Sequence, residues 1–202
     1  MSRTLRIDAV NEVLTSVGIN TVASLDDPQR QDVIAAEQTL DEVLKHIATQ
    51  DNFFNRYAKV DFDPDGNGFL LLPEDVYDVE YTESQDIQVL IKYNPTANDY
   101  CVYNLTDKTF VWDDSVVLDV TYYLTFEDLP EVVKRYVIAS TARKLYLKLF
   151  GPSTHLQILA ADEKIAYDIW QRWEFDSGDY NMLNNPDVSR IWNTPRRMGR
   201  DR

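Results

Sequence analysis

The sequence has little of the residue types that most often carry chemistry. Its 202 residues include one cysteine, Cys101, and two histidines, His46 and His155. A single cysteine cannot form an internal disulfide, and so few thiol and imidazole groups offer no zinc-type cluster. The chain has six glycines, without a phosphate-binding loop, and it lacks the common hydrolase, metalloprotease and dithiol motifs. The sequence therefore predicts no enzymatic activity, no cofactor and no bound metal.

Long apolar runs and positive charge are also scarce. No stretch approaches the roughly 18 consecutive apolar residues that a membrane-spanning helix needs, and we expect no membrane anchor. The first residues lack the apolar segment of a signal peptide, which favours a reducing intracellular compartment. Lys and Arg number 20 against 34 Asp and Glu, for a formal net charge of −14. Such a chain is unsuited to coating duplex DNA, because that binding depends on cations that neutralise phosphates.

Apolar residues are nevertheless abundant, at 44% of the chain, and in four segments they recur at helical spacing. These predicted helices cover residues 6–17, 28–50 and 129–150, and a fourth runs from a cap at Ser153 or Thr154 to residue 175. Gly18 is expected to cap the first helix at its C-terminus, and Gly151 to end the third. The apolar side of the fourth helix is predicted to carry Leu156, Leu159, Ile165 or Ala166, Ile169 and Trp173.

Two helix starts are predicted from capping residues. Asp27 is a candidate N-cap for the second helix, with Pro28 at the first helical position. Asp128 is a candidate N-cap for the third helix, and Glu131 follows three residues later as in a capping box.

Short apolar stretches between the second and third helices predict an antiparallel sheet. The clearest alternates with period two from Val116 to Phe126. The other predicted strands are Phe69–Leu72, Ile87–Tyr93, Tyr100–Leu105 and Thr109–Trp112. The order predicts an α+β fold in which residues 1–51 and 128–176 form a four-helix bundle-like domain. Residues 52–127 would be an inserted β domain, and residues 177–202 an extended C-terminal docking arm.

The predicted arm reverses the charge of the rest of the chain. Residues 185–202 carry five arginines and two aspartates, so they have a net charge of +3, whereas the remaining residues carry −17. Arginine and tryptophan are typical interface hot-spot residues, which favours an interaction arm over an inert tail. The contact candidates in this arm are Tyr180, Asn181, Met182, Leu183, Ile191, Trp192, Arg196, Arg197 and Arg200.

Acidic residues leave alternative functions open. Asp61, Asp63, Asp65 and Gly66 match the start of a calcium-binding EF-hand loop, but the twelfth position is Leu72 rather than the required Glu. We expect a polar turn in which Gly66 and Gly68 supply positive φ. The alternative is an acidic binding module or adaptor with weak calcium binding at this turn.

Acidic residues also cluster in one segment between the predicted helices and recur near the predicted third helix. The segment from Asp75 to Asp86 alternates acidic residues with tyrosines, and we expect a solvated strand face or loop. Its functional alternative is a surface that repels the DNA backbone so that DNA slides past it. A hydrolase built on Asp113 or Asp114 with Glu127 would require these carboxylates to converge in a pocket.

Several short stretches occur in the same order as in one known family. They are Ala9–Gly18, Thr21–Leu25, Phe53–Asn55 with Leu71–Pro73, Leu129–Glu131, Arg135–Tyr136, Ala142–Arg143, Leu149–Gly151 and Tyr180–Leu183. On these stretches the chain resembles the tail tubular protein A family, the tail adaptor of short-tailed bacteriophages. Family-motif residues with structural roles would be Gly18, Pro130, Glu131, Arg135, Phe150 and Gly151. Asn52–Phe53 departs from the Gly-Trp expected in the family, and the residues after Leu183 lie outside the resemblance.

The resemblance implies a structural virion protein rather than an enzyme. It implies a ring, expected to be a dodecamer, between the portal and a nozzle of tubular protein B type. The helical domain would pack around the ring, and tail fibres would attach near its lower edge. DNA would pass through the lumen during ejection without sequence-specific binding. The protein would be assembled in the cytoplasm of the bacterial host and reside in the phage tail.

Overall fold

The computed structural model describes residues 3–26, 30–50, 52–81 and 86–177. Helices α1 (Arg6–Ser16) and α2 (Gln31–Ala48) come first, and α3 (Glu131–Phe150) and α4 (Thr154–Ser177) come last. Between them lie strands β1 (Arg56–Phe62), β2 (Val76–Tyr81), β3 (Val89–Asn94), β4 (Asp99–Asn104) and β5 (Val116–Tyr122), followed by a 3₁₀ turn at Phe126–Asp128. All strand pairs are antiparallel. The predicted α+β class is confirmed.

The helices enclose the larger of two hydrophobic cores. Helix α3 packs against α1, α2 and α4, and each contributes apolar residues at helical spacing. Fully buried members of this core include Val10, Leu14, Leu40, Val137 and Trp170. Phe126, from the 3₁₀ turn, is also buried there. Phe126 was predicted to be the last residue of a strand, but it packs in the helical core.

The helix stops follow the glycine prediction, whereas the predicted start of α2 was wrong. Gly18 has φ of +80°, and its backbone N–H donates to the Thr15 carbonyl at 3.0 Å. Helix α2 begins at Gln31, with Arg30 in the N-cap position. The predicted capping pair, Asp27 and Pro28, lies outside the described residues.

The start of α3 also differs from the prediction. Pro130 occupies the N-cap position, and Asp128 belongs to the preceding 3₁₀ turn. The Asp128 carboxylate there accepts a hydrogen bond from Thr125 Oγ1 at 2.6 Å. The predicted Asp128–Glu131 capping box is therefore wrong, because Leu129 and Pro130 have extended ψ values and separate the turn from the helix.

Strand β5 is the centre of a three-stranded sheet with the order β1-β5-β2. Val116, Leu118 and Val120 alternate toward the core of the β region, as the period-two pattern predicted. The strand ends at Tyr122 rather than Phe126. Strands β3 and β4 form a separate two-stranded sheet, and their predictions are confirmed.

The sequence pattern missed the two edge strands β1 and β2. Both are largely exposed, and register shifts interrupt their pairing with β5. Arg56 joins all three strands, since its guanidinium contacts Glu80 at 2.7 Å and Asp119 at 3.0 Å. The predicted strands Phe69–Leu72 and Thr109–Trp112 were wrong, because they contribute isolated bridges only.

A short turn after α2 connects the helical region to the β region. The Phe53 N–H donates to Glu174 Oε1 on α4 at 2.8 Å, and the Phe53 ring lies 4.9 Å from the ring of Trp173. The Asn55 carbonyl accepts a hydrogen bond from the Tyr122 N–H on β5 at 2.8 Å. The turn therefore contacts α4 on one side and the central strand on the other.

Candidate assembly surfaces

Helix α4 has one buried side and one exposed apolar side. Its buried residues are Leu159, Trp170 and Glu174. Ile158, Ile165 and Ile169 have 55%, 58% and 49% of their surface exposed, and their spacing of seven and four residues places them on one stripe. The stripe would be an unusual surface for a helix without a partner, because apolar patches often mark interaction sites.

The orientation of α4 corrects the predicted apolar side. Ile169 was predicted to face the core, but its neighbour Trp170 does so instead. The Trp170 ring packs 4.9 Å from that of Tyr136, and its Nε1 donates to Glu174 Oε2 at 3.3 Å. Of the two residues left open, Ala166 is half-buried and Ile165 is exposed.

A groove of about 350 Å³ runs between α3 and α4 beside the exposed stripe. Its lining consists of Glu131, Val132, Arg135, Asp162, Ile165, Ala166 and Ile169. Apolar side chains form its floor, and three charged residues surround them. Two of the family-motif residues, Glu131 and Arg135, are thus brought together in this groove.

Glu131 also fastens the N-terminal segment to α3. Its carboxylate accepts hydrogen bonds from the Thr4 N–H at 3.0 Å and from Thr4 Oγ1 at 2.8 Å. Lys134, only 1% exposed, donates to the Thr4 carbonyl at 3.0 Å and to Glu131 at 3.3 Å. Desolvation raises the pKa of the Glu131 carboxyl, but the hydrogen bonds from Thr4 and Lys134 outweigh it and lower the pKa below its ordinary value.

The C-terminal end of α3 presents a second exposed apolar group. Gly151, with φ of +75°, ends the helix, and its N–H donates to the Leu147 carbonyl at 3.1 Å. Leu147, Leu149 and Phe150 are exposed around this last turn. The prediction that Gly151 stops the helix is confirmed, and the exposed Phe150 makes a surface contact available to a partner.

The β region exposes tyrosines rather than aliphatic side chains. Tyr93 and Tyr100 face each other across the β3–β4 hairpin, with ring centroids 5.7 Å apart, and both are exposed. Tyr57 and Tyr77 on the edge strands are exposed as well. Because tyrosine combines an apolar ring with a polar hydroxyl, this surface suits contact with protein as well as with water.

Two of the three aspartates of the EF-hand-like turn, Asp63 and Asp65, accept structural hydrogen bonds. Asp65 Oδ1 accepts the backbone N–H groups of Asn67 and Phe69, each at 2.8 Å, and the pKa of Asp65 is lowered chiefly by the Phe69 bond. Asp63 accepts a hydrogen bond from Ser115 Oγ at 2.5 Å. Over the described residues, no group of three or more His, Cys, Asp or Glu is placed to hold a metal ion. Nothing in this turn favours the calcium-binding alternative.

The glycines of this turn behave differently from each other. Gly68 has φ of +81°, as predicted, but Gly66 is not among the glycines with positive φ. The prediction for Gly66 was therefore wrong.

The other groups considered for catalysis are dispersed. Asp113, Asp114 and Glu127 are all exposed, so the dry pocket that the hydrolase hypothesis requires is not built around them. His155 Nε2 lies 2.9 Å from the Ser16 carbonyl and links α4 to α1, whereas His46 is exposed. Cys101 is buried, and desolvation raises the pKa of its thiol.

The predicted arm contacts, Tyr180 to Arg200, lie outside the described residues, as do residues 82–85 of the acidic segment. Within the described part of the chain, none of the helices combines the length and the apolar character needed to cross a bilayer.

Comparison with known proteins assigns the chain to a family. A model of the tail tubular protein family matches residues 7–180, a span that begins on α1, contains all the strands and ends beyond α4. It includes the groove residues Glu131 and Arg135 and the glycine stops at Gly18 and Gly151. A search of curated proteins returned no match. The chain therefore belongs to the tail tubular protein family and is a structural component of the bacteriophage virion, in the tail.

Proposed function

We propose that this protein is a tail adaptor subunit that joins the portal to the tail nozzle. The observation that carries the proposal is the family match over residues 7–180. Copies of the chain form a ring, taken to be a dodecamer from the family resemblance, whose lumen is part of the DNA ejection channel. Tail fibres attach near its lower edge. The subunit is assembled in the bacterial cytoplasm and performs no chemical reaction.

The distribution of exposed apolar residues supports assembly through the helices. Residues 1–51 and 128–176 act as the ring-forming bundle, and residues 52–127 act as a β domain directed toward other tail components. The stripe on α4 and the end of α3 together expose Ile158, Ile165, Ile169 and Phe150. Burying such residues between subunits is favourable by about 25 cal/mol for each Å² of apolar surface.

The acidic body suits a channel for DNA. The chain has a net charge of −14, and a lumen of like charge repels phosphates, so DNA passes without adhering. The basic C-terminal arm, residues 177–202, is the portion proposed to contact the portal or an adjacent subunit.

Mixing the purified chain with the portal and nozzle proteins of its own phage tests the proposal. We expect a ring-shaped complex, seen as a large increase in mass by light scattering and as ring particles by electron microscopy. A chain that stays monomeric with both partners present would contradict the adaptor function. Deleting residues 185–202 should weaken binding to the portal and leave the thermal unfolding temperature unchanged, whereas unchanged affinity would remove the portal role of this segment.

A further inference from the structure

The groove between α3 and α4 has an apolar floor that no described part of the chain covers. Ile165 and Ile169 contribute exposed side chains to it, together with Val132 across the groove. Its volume of about 350 Å³ falls within the usual range for small-ligand pockets, roughly 300–1,000 Å³. A groove of this size accommodates one large aromatic side chain.

Two of the three charged residues in the groove are available to contact a partner. Glu131 is occupied by Thr4 and Lys134. Arg135 and Asp162, by contrast, form no hydrogen bond or ion pair within the residues the structure describes. A guanidinium beside an apolar floor suits an aromatic ring through a cation–π contact. A carboxylate beside the same floor suits an arginine.

The C-terminal segment contains the matching residue types in a short stretch. Ile191 and Trp192 are adjacent, Arg190 precedes them, and Arg196 and Arg197 follow. The segment from residue 185 onward carries a net charge of +3 on a chain whose remainder carries −17. Its apolar pair therefore complements the groove floor, and its arginines complement Asp162.

Chain length allows the segment to reach the groove of an adjacent copy. From Ile165 to Ser177, helix α4 advances by about 18 Å, which carries the chain away from its own groove. Residues 178–190 then span at most about 45 Å when extended. That reach is sufficient for a subunit in direct contact. It also exceeds the distance back to the same groove, but only a contact with an adjacent copy holds a ring together.

We propose that Ile191 and Trp192 of one copy occupy the α3–α4 groove of an adjacent copy. The indole packs on Ile165 and Ile169 beside Arg135, and one arginine of the Arg196–Arg197 pair faces Asp162. Each subunit then donates one segment and accepts another, which is the head-to-tail contact that closes a ring. This inference rests on the proposed ring and specifies which surfaces of this chain hold it together.

Photo-cross-linking in the assembled particle tests the contact. Trp192 of the full-length chain is replaced by benzoylphenylalanine, and isotopically light and heavy copies are mixed before assembly with the portal. After irradiation, we expect cross-links between light and heavy copies on peptides containing residues 131–135 or 162–169. Cross-links confined to one copy, to the portal or to another surface would overturn the proposal.

Three substitutions on one helix provide a matched comparison. Ile165→Glu and Ile169→Glu each place a charge on the groove floor, and each is expected to lower the cross-link yield about tenfold, the effect of roughly 1.4 kcal/mol. Phe175→Glu changes an equally exposed apolar residue of the same helix that lies outside both the groove lining and the isoleucine stripe. Its yield should stay within about twofold. Equal losses in all three variants would contradict a groove-specific contact.

The outcomes distinguish a failure of the groove contact from a failure of the adaptor function. The cross-linked peptides of the chain without groove substitutions test the contact even if one variant fails to fold. A ring that forms with cross-links elsewhere overturns this inference alone. If no ring forms with portal and nozzle present, both this inference and the adaptor function fail.

Discussion

The helical region and the β region of this chain are stabilised in different ways. The helical core contains large, completely buried side chains such as Trp170, and α3 contacts all three other helices. The β core is smaller and is organised around one strand, β5, whose two neighbours are largely exposed. A region with its own large core can leave one apolar face unpaired, as α4 does. The comparison indicates that the helical region is the more extensively packed of the two.

Trp170→Ala should have the largest effect on stability. The side chain is 0% exposed, and removing a buried tryptophan leaves a cavity that costs about 3–5 kcal/mol. We expect that decrease in the free energy of unfolding, measured by denaturant titration with the helical circular dichroism signal. Phe175→Ala on the same helix, where the ring is 63% exposed, should change it by less than about 0.5 kcal/mol. Similar losses in both would disprove the difference between the two sides of α4.

Leu118→Ala tests the β core in the same manner. Leu118 lies at the centre of β5 and is fully buried, and leucine-to-alanine changes in cores cost about 2–5 kcal/mol. We expect a value toward the lower end, since the smaller cluster relaxes more easily. Denaturant titration followed by a β-sheet signal measures it. A loss greater than that of Trp170→Ala would make the β core the more stable region.

Glu174→Ala tests the connection between the regions. The substitution leaves the Phe53 N–H and the Trp170 indole N–H without their acceptor, at a cost of about 1–3 kcal/mol. We expect the helical and β signals to separate during unfolding, because the turn at residues 52–55 loses its anchor on α4. Asp176→Ala, exposed on the same helix, serves as the control. If the two signals remain coincident, other contacts couple the regions.

Gly68→Ala tests the turn that resembles a calcium loop. Gly68 has positive φ, and an added Cβ would lie 2.9 Å from Val111 Cγ1 and 3.3 Å from the Trp112 carbonyl oxygen. The left-handed conformation alone costs about 1–2 kcal/mol for a residue with a Cβ. Gly66→Ala, two residues away in open space, should change stability by less than about 0.5 kcal/mol. Thermal unfolding of the two variants measures the difference in their stability. Equal losses of stability in both would contradict the structural role assigned to Gly68.

The smallest expected effect is on the acid dependence of stability. The folded-state pKa of Glu131 is lowered, so its contribution is present above the unfolded-state pKa of about 4.3. It is lost as the pH falls through the folded-state pKa. Glu131→Gln should therefore reduce the difference between the unfolding free energies measured at about pH 6 and at about pH 3. Glu127→Gln, on an exposed residue, is the control, and an unchanged pH difference in Glu131→Gln would contradict the Thr4 contact.

Several elements could be predicted because their signals are local. The apolar repeat of α1 together with Gly18 set both the helix and its end, and the alternation of Val116, Leu118 and Val120 identified β5. Strand β1 could not be predicted from its own residues, since Arg56, Lys59 and Asp61 interrupt any apolar pattern. It becomes a strand because β5 supplies hydrogen-bonding partners and Asp119 pairs with Arg56.

The candidate groove combines both kinds of information. Its motif residues, Glu131 and Arg135, were identified in the sequence, but Asp162 and the exposed position of Ile165 were not. The sequence by itself determined that α4 is a helix with apolar residues on more than one side. Successive residues differ by about 100° around a helix, so a pattern containing both Ile169 and Trp170 does not decide which faces inward. Only the tertiary structure decided it, because the Trp170 indole finds Tyr136 and Glu174 in the interior, which leaves the isoleucines exposed.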